Sequence, residues 1–348
     1  MHFNIRHKIP VFFLLVLVPG LVGANARETG SRQKSINCGI DYVSEIQTNL
    51  ERVKSANLLG LQLSIPATHR LSLDFGSITT FSSDHAVLAD DLQGFSNIDN
   101  DCLPFALTVA GLNWSMGEGT SLFAGIRRID EDYFCSDGLS FFTNSSCGAL
   151  PTISMNHDIA VFPNAAQGIH FIKEWDRIQF QASLYNGRGH NRFLGKDNVF
   201  RVCPGSDGLF SMAQARYDHG KGQWYLGASL HHDGRQGSGM LPTMWTYLEE
   251  RISSDFTLIA AYSHAFSRSA ACRNFAGLGG IYDCGKAAFG LFTDWTRIDG
   301  DSELAVEATC DIPVNRWLSL QPVFHLISHH DRLNGVGVLR IKLSLFNN

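Results

Sequence analysis

The residues best suited to binding a polar molecule form a short run of charges in residues 125–132. The candidates in this run are Arg127, Arg128, Asp130 and Asp132. Guanidinium groups donate several hydrogen bonds and carboxylates accept them, so the run could hold a polar solute at a narrow point. The alternative interpretation is the solvated edge of a loop. The sequence is compatible with both.

Two further carboxylates, Glu303 and Glu307, lie four residues apart in an alternating stretch. Side chains separated by an even number of positions share one face of an extended strand, so these two point the same way. They could form a wall that interacts with cations or sugars, or a plain water-facing surface. A general acid–base pair is disfavoured because neighbours on one strand lack a facing partner.

Two histidine pairs each precede an aspartate, in residues 231–233 and 329–331. Adjacent side chains on an extended chain point to opposite faces, so such pairs chelate a metal poorly and we expect loops instead. The sequence contains no G-x-S-x-G, H-E-x-x-H, P-loop or G-x-G-x-x-G motif. We therefore predict a protein that is not an enzyme, with no catalytic, cofactor-binding or metal-binding residues.

The N-terminus has the three parts of a secretory signal peptide. Residues 1–8 are basic, residues 9–23 are almost entirely apolar, and residues 24–26 read Ala-Asn-Ala. A membrane anchor is the alternative, but two prolines shorten the apolar run below the roughly 20 residues that a spanning helix needs. We therefore predict that residues 1–26 are a cleaved signal peptide.

The eight cysteines all follow the predicted cleavage site. An even number of cysteines in an exported chain suggests disulfides in an oxidising compartment. Two pairs share a spacing of twelve residues in polar stretches, and the hypothesis is that each closes its own loop: Cys135 with Cys147, and Cys272 with Cys284. Reduced, buried cysteines are the alternative, which we prefer for Cys310 because it alternates with apolar residues.

The rest of the chain shows a two-residue rhythm. In residues 178–185, 224–231 and 303–312, apolar side chains alternate with polar ones, so each strand has one apolar and one polar face. The stretches approach the 9–11 residues that a tilted strand needs to cross lipid. We predict an all-β fold, a transmembrane antiparallel β-barrel. About 320 residues at roughly 20 per strand and connection give about sixteen strands, with fourteen also compatible.

Residues 38–55 show a different period, with apolar residues three or four positions apart. These are Ile40, Val43, Ile46, Leu50 and Val53. The spacing predicts a short amphipathic helix. The predicted organisation is then a signal peptide (1–26), an N-terminal segment with a short helix (27–56) and the barrel (57–348).

Several stretches match one protein family in order and spacing. Residues 303–309, 317–322 (WLSLQP) and 335–340 (GVGVLR) are similar to that family's closing strands. Residues 122–144 are similar to its F-x-G, D-Y-F and L-F-x-N region, and residues 183–187 to its Y-N-G strand end. The chain thus resembles the carbohydrate-selective outer-membrane porins, the OprB-type family.

The resemblance implies passive diffusion of small sugars through a water-filled barrel narrowed by inward-folded loops. It also implies contact with lipid in the outer membrane of a Gram-negative bacterium. A monomer and a trimer are both compatible with the sequence. A formal net charge of −5 gives no electrostatic reason to bind nucleic acid. The competing functions are a secreted soluble β-sandwich that binds carbohydrate, a barrel with enzymatic activity, and a structural barrel with a plugged lumen.

Overall fold

A computed structural model of the chain describes residues 36–234 and 239–346. Residues 35–348 form one compact unit. The predicted signal peptide (1–26) lies outside the described residues.

Sixteen antiparallel strands form one closed sheet, in which each strand pairs with its neighbours in sequence and β1 pairs with β16. Closure removes every sheet edge, so the backbone polar groups of the wall are paired within it. The predicted barrel and its strand number are confirmed, and a two-sheet sandwich is excluded. The strands are β1 (Asn37–Thr48), β2 (Val53–Pro66), β3 (Leu71–Ser82), β4 (Leu103–Gly117), β5 (Thr120–Arg127), β6 (Ala166–Trp175), β7 (Ile178–Asn186), β8 (Leu209–Asp218), β9 (Gly222–His232), β10 (Met240–Arg251), β11 (Phe256–Ala265), β12 (Cys272–Asp283), β13 (Ala288–Ile298), β14 (Asp301–Pro313), β15 (Leu318–His329) and β16 (Arg332–Leu345).

The two ends of the barrel differ in their connections. At one end, here the short-turn end, all connections have two to four residues. The opposite end, here the long-loop end, carries residues 83–102 and 128–165, which we name the first and second inward loops. The described helices are all short: the 3-10 helices Ile129–Glu131 and Leu139–Phe141, and α1 (Ser145–Gly148), α2 (Pro151–Ser154) and α3 (Pro204–Asp207). Among the described residues, no helix has the length and apolar character needed to cross a bilayer.

The helix predicted for residues 38–55 is wrong, because these residues form β1, a turn and the start of β2. β1 pairs with β2 on one side and β16 on the other, so it is the strand that closes the barrel. The helical spacing of apolar residues is overridden by this pairing, which satisfies the backbone of β1 on both sides. The barrel therefore begins at Asn37, twenty residues before the predicted boundary at residue 57.

The predicted disulfides are also wrong, since all eight cysteines are free thiols. Cys272 begins β12 and Cys284 follows its end, so a full strand separates them. At about 3.3 Å per residue that separation is roughly 40 Å, far above the ~7 Å limit for a disulfide. Between Cys135 and Cys147 the second inward loop is hydrogen-bonded to β10 through Gly138 and to β14 through Thr143, and both thiols are free.

The outward face of the barrel is rich in exposed, large apolar side chains. Examples on separate strands are Leu61, Phe105, Ile169, Leu226, Leu278, Leu291, Leu304 and Phe324. Five of the six tryptophans are at least 38% exposed, and Trp114, Trp175, Trp224 and Trp317 all lie near the short-turn end. An apolar belt bordered by aromatic side chains is the surface that a barrel presents to a lipid bilayer.

Candidate functional site: the barrel lumen

The second inward loop crosses the interior of the barrel. Near its start, the hydroxyl groups of Tyr133 and Ser183, on β7, form a hydrogen bond of 2.9 Å. Further along, the backbone N–H of Gly138 donates to Glu249 Oε1 on β10 at 2.8 Å. The loop is therefore attached to the wall at successive points along its path.

An apolar cluster holds the same loop in place. Tyr133, Phe134 and Phe142 of the loop are fully buried, and they pack among lumen-facing aromatic side chains of the wall. The ring centroids of Phe134 and the wall residue Trp245 lie 5.3 Å apart. Those of Phe142 and the wall residue Phe292 lie 5.0 Å apart. The loop thus fills part of the lumen with a packed core rather than with water.

The first inward loop lies beside the second and is hydrogen-bonded to it. The backbone N–H of Asn97 donates to Thr143 O at 2.8 Å, and the N–H of Ser145 donates to Gly94 O at 3.0 Å. On the wall side, Gln93 Nε2 donates to Asp294 Oδ1 on β13 at 2.7 Å. Together the two loops form one inner layer against β13–β16.

Glu303 and Glu307 face the lumen, as their spacing predicts, but the inner layer covers them. They are 1% and 2% exposed. Glu303 accepts hydrogen bonds from the backbone N–H of Leu92 and from Gln93 Nε2. Glu307 accepts from the backbone N–H groups of Thr143 and Asn144 at 2.8 and 3.0 Å. These carboxylates attach the inward loops to β14, and they lie outside the open cavity described next.

A cavity of about 1170 Å³ lies between the inward loops and the wall of β1–β4. The volume exceeds the roughly 300–1,000 Å³ typical of small-molecule sites, so it admits a small polar solute with water. Both sides of the cavity carry charge. The charged lining residues are Asp41, Asp74, Arg127, Arg128, Asp130, Glu131, Asp158 and Arg340.

Three of the four predicted charged candidates reach this cavity. Arg127, Arg128 and Asp130 line it, whereas Asp132 is buried behind Arg127 and receives a hydrogen bond of 2.7 Å from Arg127 Nε. Arg128 Nε donates to Glu131 Oε1 at 3.1 Å and lies 3.6 Å from Asp130 Oδ1. The run in residues 127–132 is thus a cluster of two arginines paired with three carboxylates, whose side chains are at most 23% exposed.

Comparison with known proteins adds one decisive observation. No protein-family model matches the chain, and no curated protein matches it. Among solved structures, the high-pH structure of OprB from Pseudomonas putida has a TM-score of 0.76 and 12% identity, covering 89% of this chain and 94% of that chain. The fold is that of a porin.

Two other solved structures agree over the same extent. The anion-selective porin from Comamonas acidovorans has a TM-score of 0.60 and 9% identity, covering 89% of this chain and 99% of that chain. A loop-deletion mutant of OmpT, an outer membrane protein of Vibrio cholerae, has a TM-score of 0.58 and 10% identity with the same coverages. At these identities the similarity concerns the fold.

Several residues that line the cavity were not predicted from the sequence. Asp41 and Asp74 occupy the opposite wall, and Arg340 reaches the cavity from β16 while Arg340 Nε donates to Glu45 Oε1 at 2.6 Å. Asp41 fell within the wrongly predicted helix, so the sequence offered no indication that its side chain faces the lumen from a strand. Glu131 belongs to the charged run itself, so reading every charge in that run would have found it.

A histidine of the second inward loop also lines the cavity. The ring of His157 stacks on that of His231 with 3.7 Å between centroids. Burial, with a smaller contribution from the neighbouring His231, lowers the pKa of His157 to about 4. The ring is therefore neutral over the physiological pH range and adds no charge to the cavity.

We expect the ionic selectivity of the cavity to change near neutral pH. Burial raises the pKa of Glu131 from 4.5 to about 7, with Arg128 opposing the shift and Asp130 adding to it. The carboxyl group is therefore neutral below about pH 7 and negative above it. Its protonated form stabilises the fold fully below pH 4.5, and this stabilisation is lost as the pH rises through about 7. The reversal potential across a salt gradient should shift toward cation preference as the pH rises from about 6 to about 8.

Glu131→Gln should remove this step because the amide does not titrate. Glu118→Gln, at an exposed residue of a short turn, is the matched control and should keep it. An equal pH response in wild type and in Glu131→Gln would contradict the assignment.

Proposed function

We propose that this chain is an outer-membrane porin through which small polar solutes diffuse passively, with a bias toward carbohydrates. The observation that carries the proposal is the pairing of an apolar outward face with a charged cavity inside one closed sheet. Such a barrel is stable in lipid while it encloses a polar path. By the usual arrangement of these barrels, the short turns lie in the periplasm and the long loops outside the cell.

The carbohydrate bias rests on the chemistry of the cavity together with the sequence resemblance. A sugar presents many hydroxyl groups, each of which donates and accepts hydrogen bonds. Arg128 offers donors, while Asp130 and Glu131 beside it offer acceptors, and Asp41 and Asp74 do so from the opposite wall. Facing sets of donors and acceptors favour a neutral polyhydroxyl solute over an ion, which needs a single sign of charge.

A plugged structural barrel is the second candidate, and one observation favours it. The second inward loop places a buried apolar cluster inside the lumen. That cluster lies among lumen-facing side chains of β7–β13, whereas the cavity lies along β1–β4. We therefore expect the cluster to narrow the lumen on one side and leave a path on the other.

The test is solute uptake by liposomes that contain the folded protein. We expect monosaccharides to enter faster than charged solutes of similar size. Arg128→Ala should reduce monosaccharide flux by up to about tenfold, since a hydrogen bond to a charged group contributes about 1.5 kcal/mol.

Arg316→Ala is the matched control, since Arg316 lies exposed in a short turn and stacks on Trp317. No uptake of any solute by the folded barrel would overturn the porin proposal in favour of the plugged barrel. If sugars and ions of the same size enter equally fast, and Arg128→Ala does not change their uptake, the porin proposal stands and the carbohydrate bias is rejected.

A further inference from the structure

The hairpin between β15 and β16 brings two adjacent histidines together. Its turn residues, His330 and Asp331, have φ angles of +49° and +57°, the left-handed conformation of a tight two-residue hairpin. The chain therefore reverses at His330 instead of continuing as an extended strand, and the rings of His329 and His330 lie 3.7 Å apart between centroids. The expectation that adjacent histidines point to opposite faces fails here because the second one is in the turn.

A carboxylate from a distant segment completes the group. Asp90, in the first inward loop, places Oδ1 3.3 Å from His329 Nδ1 and Oδ2 3.6 Å from His330 Nδ1. One ligand atom from each of the three residues lies within 4.8 Å of the others. The neighbours of Asp90 hold it there, because Leu88 and Ala89 pack in an apolar cluster with Ile327 of β15.

His329 supplies an independent indication that a ligand belongs at this point. The residue is only 3% exposed, and neither of its ring nitrogens has a hydrogen-bond partner. The 3.3 Å approach to Asp90 does not have hydrogen-bond geometry. A buried imidazole without a partner loses its hydration uncompensated, and a metal ion that accepts the lone pair of Nδ1 would restore an interaction.

The distances fit a common ion. Zinc binds imidazole nitrogen and carboxylate oxygen at about 2.0–2.2 Å, which places tetrahedral donors roughly 3.4 Å apart. Each histidine Nδ1 lies near that spacing from one oxygen of Asp90, His329 at 3.3 Å from Oδ1 and His330 at 3.6 Å from Oδ2. Asp301 Oδ2 lies 3.3 Å from His330 Nε2, the nitrogen that faces away from Asp90, where it can accept a hydrogen bond and orient the ring.

We propose that Asp90, His329 and His330 form a binding site for a divalent transition-metal ion, of which zinc is the best fit. Two imidazoles and one carboxylate suit zinc, nickel or copper, whereas calcium and magnesium prefer sites built from oxygen atoms. The ion joins the first inward loop to the β15–β16 hairpin at the long-loop end. Binding therefore stabilises the position of a loop that lines the lumen.

The test is calorimetric titration of zinc alone into the folded, untagged full chain in detergent after treatment with a chelator. We expect one zinc ion per chain at this site. His330→Asn and Asp90→Asn should each weaken its binding at least about tenfold, since they remove a direct ligand. Both residues are exposed, and an unchanged circular dichroism spectrum verifies the fold of each variant.

His232→Asn is the matched control, because His232 is an exposed histidine at the same end of the barrel but lies in the other histidine pair. Cobalt in place of zinc should give visible absorption bands of a four-coordinate ion in wild type and in His232→Asn, and lose them in His330→Asn. Wild-type zinc affinity in both ligand variants, or no zinc binding at micromolar concentration, would overturn the site. Tighter binding of calcium than of zinc would overturn the assignment of metal class.

Discussion

Replacing Trp245 with alanine is expected to lower the free energy of unfolding by about 3–5 kcal/mol, the range for a fully buried large aromatic side chain. Trp245 is 1% exposed and lies against Tyr133 and Phe134 of the second inward loop. Its Nε1 donates to Gln214 Oε1 at 2.9 Å. Removal leaves a cavity beneath the loop and an unpaired amide. Denaturant titration in detergent, followed by circular dichroism, measures the loss.

The position of this ring also depends on its cross-strand partner, Gly227 on β9. A Cβ added at Gly227 would lie 2.2 Å from Trp245 Cε2, so the absence of a side chain there lets the indole lie against the wall. Trp224→Ala is the matched control, since Trp224 is 53% exposed on the outward face. We expect it to change the stability in detergent by less than about 1 kcal/mol. Equal losses in the two variants would show that Trp245 does not hold the loop.

Replacing Glu307 with alanine is expected to release the second inward loop without unfolding the barrel. The carboxylate accepts hydrogen bonds from the backbone N–H groups of Thr143 and Asn144 and from the Thr143 hydroxyl at 3.2 Å. Each buried donor left without a partner costs about 1–3 kcal/mol. Local opening should thus become easier by roughly 3 kcal/mol, which accelerates amide exchange at Thr143 and Asn144 by about a hundredfold.

Hydrogen exchange with mass spectrometry on peptides covering residues 139–149 provides this measurement. Glu307→Gln keeps one acceptor oxygen and should retain part of the protection. Glu174→Ala, at an exposed glutamate near the short-turn end, serves as the control and should leave exchange in the loop unchanged. If exchange in the loop is the same in Glu307→Ala as in wild type, the carboxylate does not anchor it.

The strands of the barrel could be predicted from the sequence because the alternation of apolar and polar side chains along a strand is a local pattern. Residues 178–185 and 303–312 show their two faces within a few positions, and they form β7 and part of β14. The same rule predicted that Glu303 and Glu307 face the lumen. It could not predict that they are covered, because the residues that cover them lie more than 150 positions earlier in the chain.

Other predictions failed where a contact between distant segments decided the outcome. Residues 38–55 have a helical spacing, but pairing of β1 with β16, nearly 300 residues away, makes them strands. The equal spacing of the cysteine pairs suggested disulfides, yet Cys272 and Cys284 lie at opposite ends of β12. The side chains of His329 and His330 were expected to point to opposite faces, but the hairpin turn brings both close to Asp90.

The sequence by itself determined the all-β class and which side chains share one face of a strand, because each depends on neighbours along the chain. Only the tertiary structure decided how the two inward loops cross the barrel and which carboxylates they bury. It also decided which charges remain open to the cavity and which side chains converge on the proposed metal site. Those features require backbone hydrogen bonds and packing between residues far apart in sequence, and no local pattern encodes them.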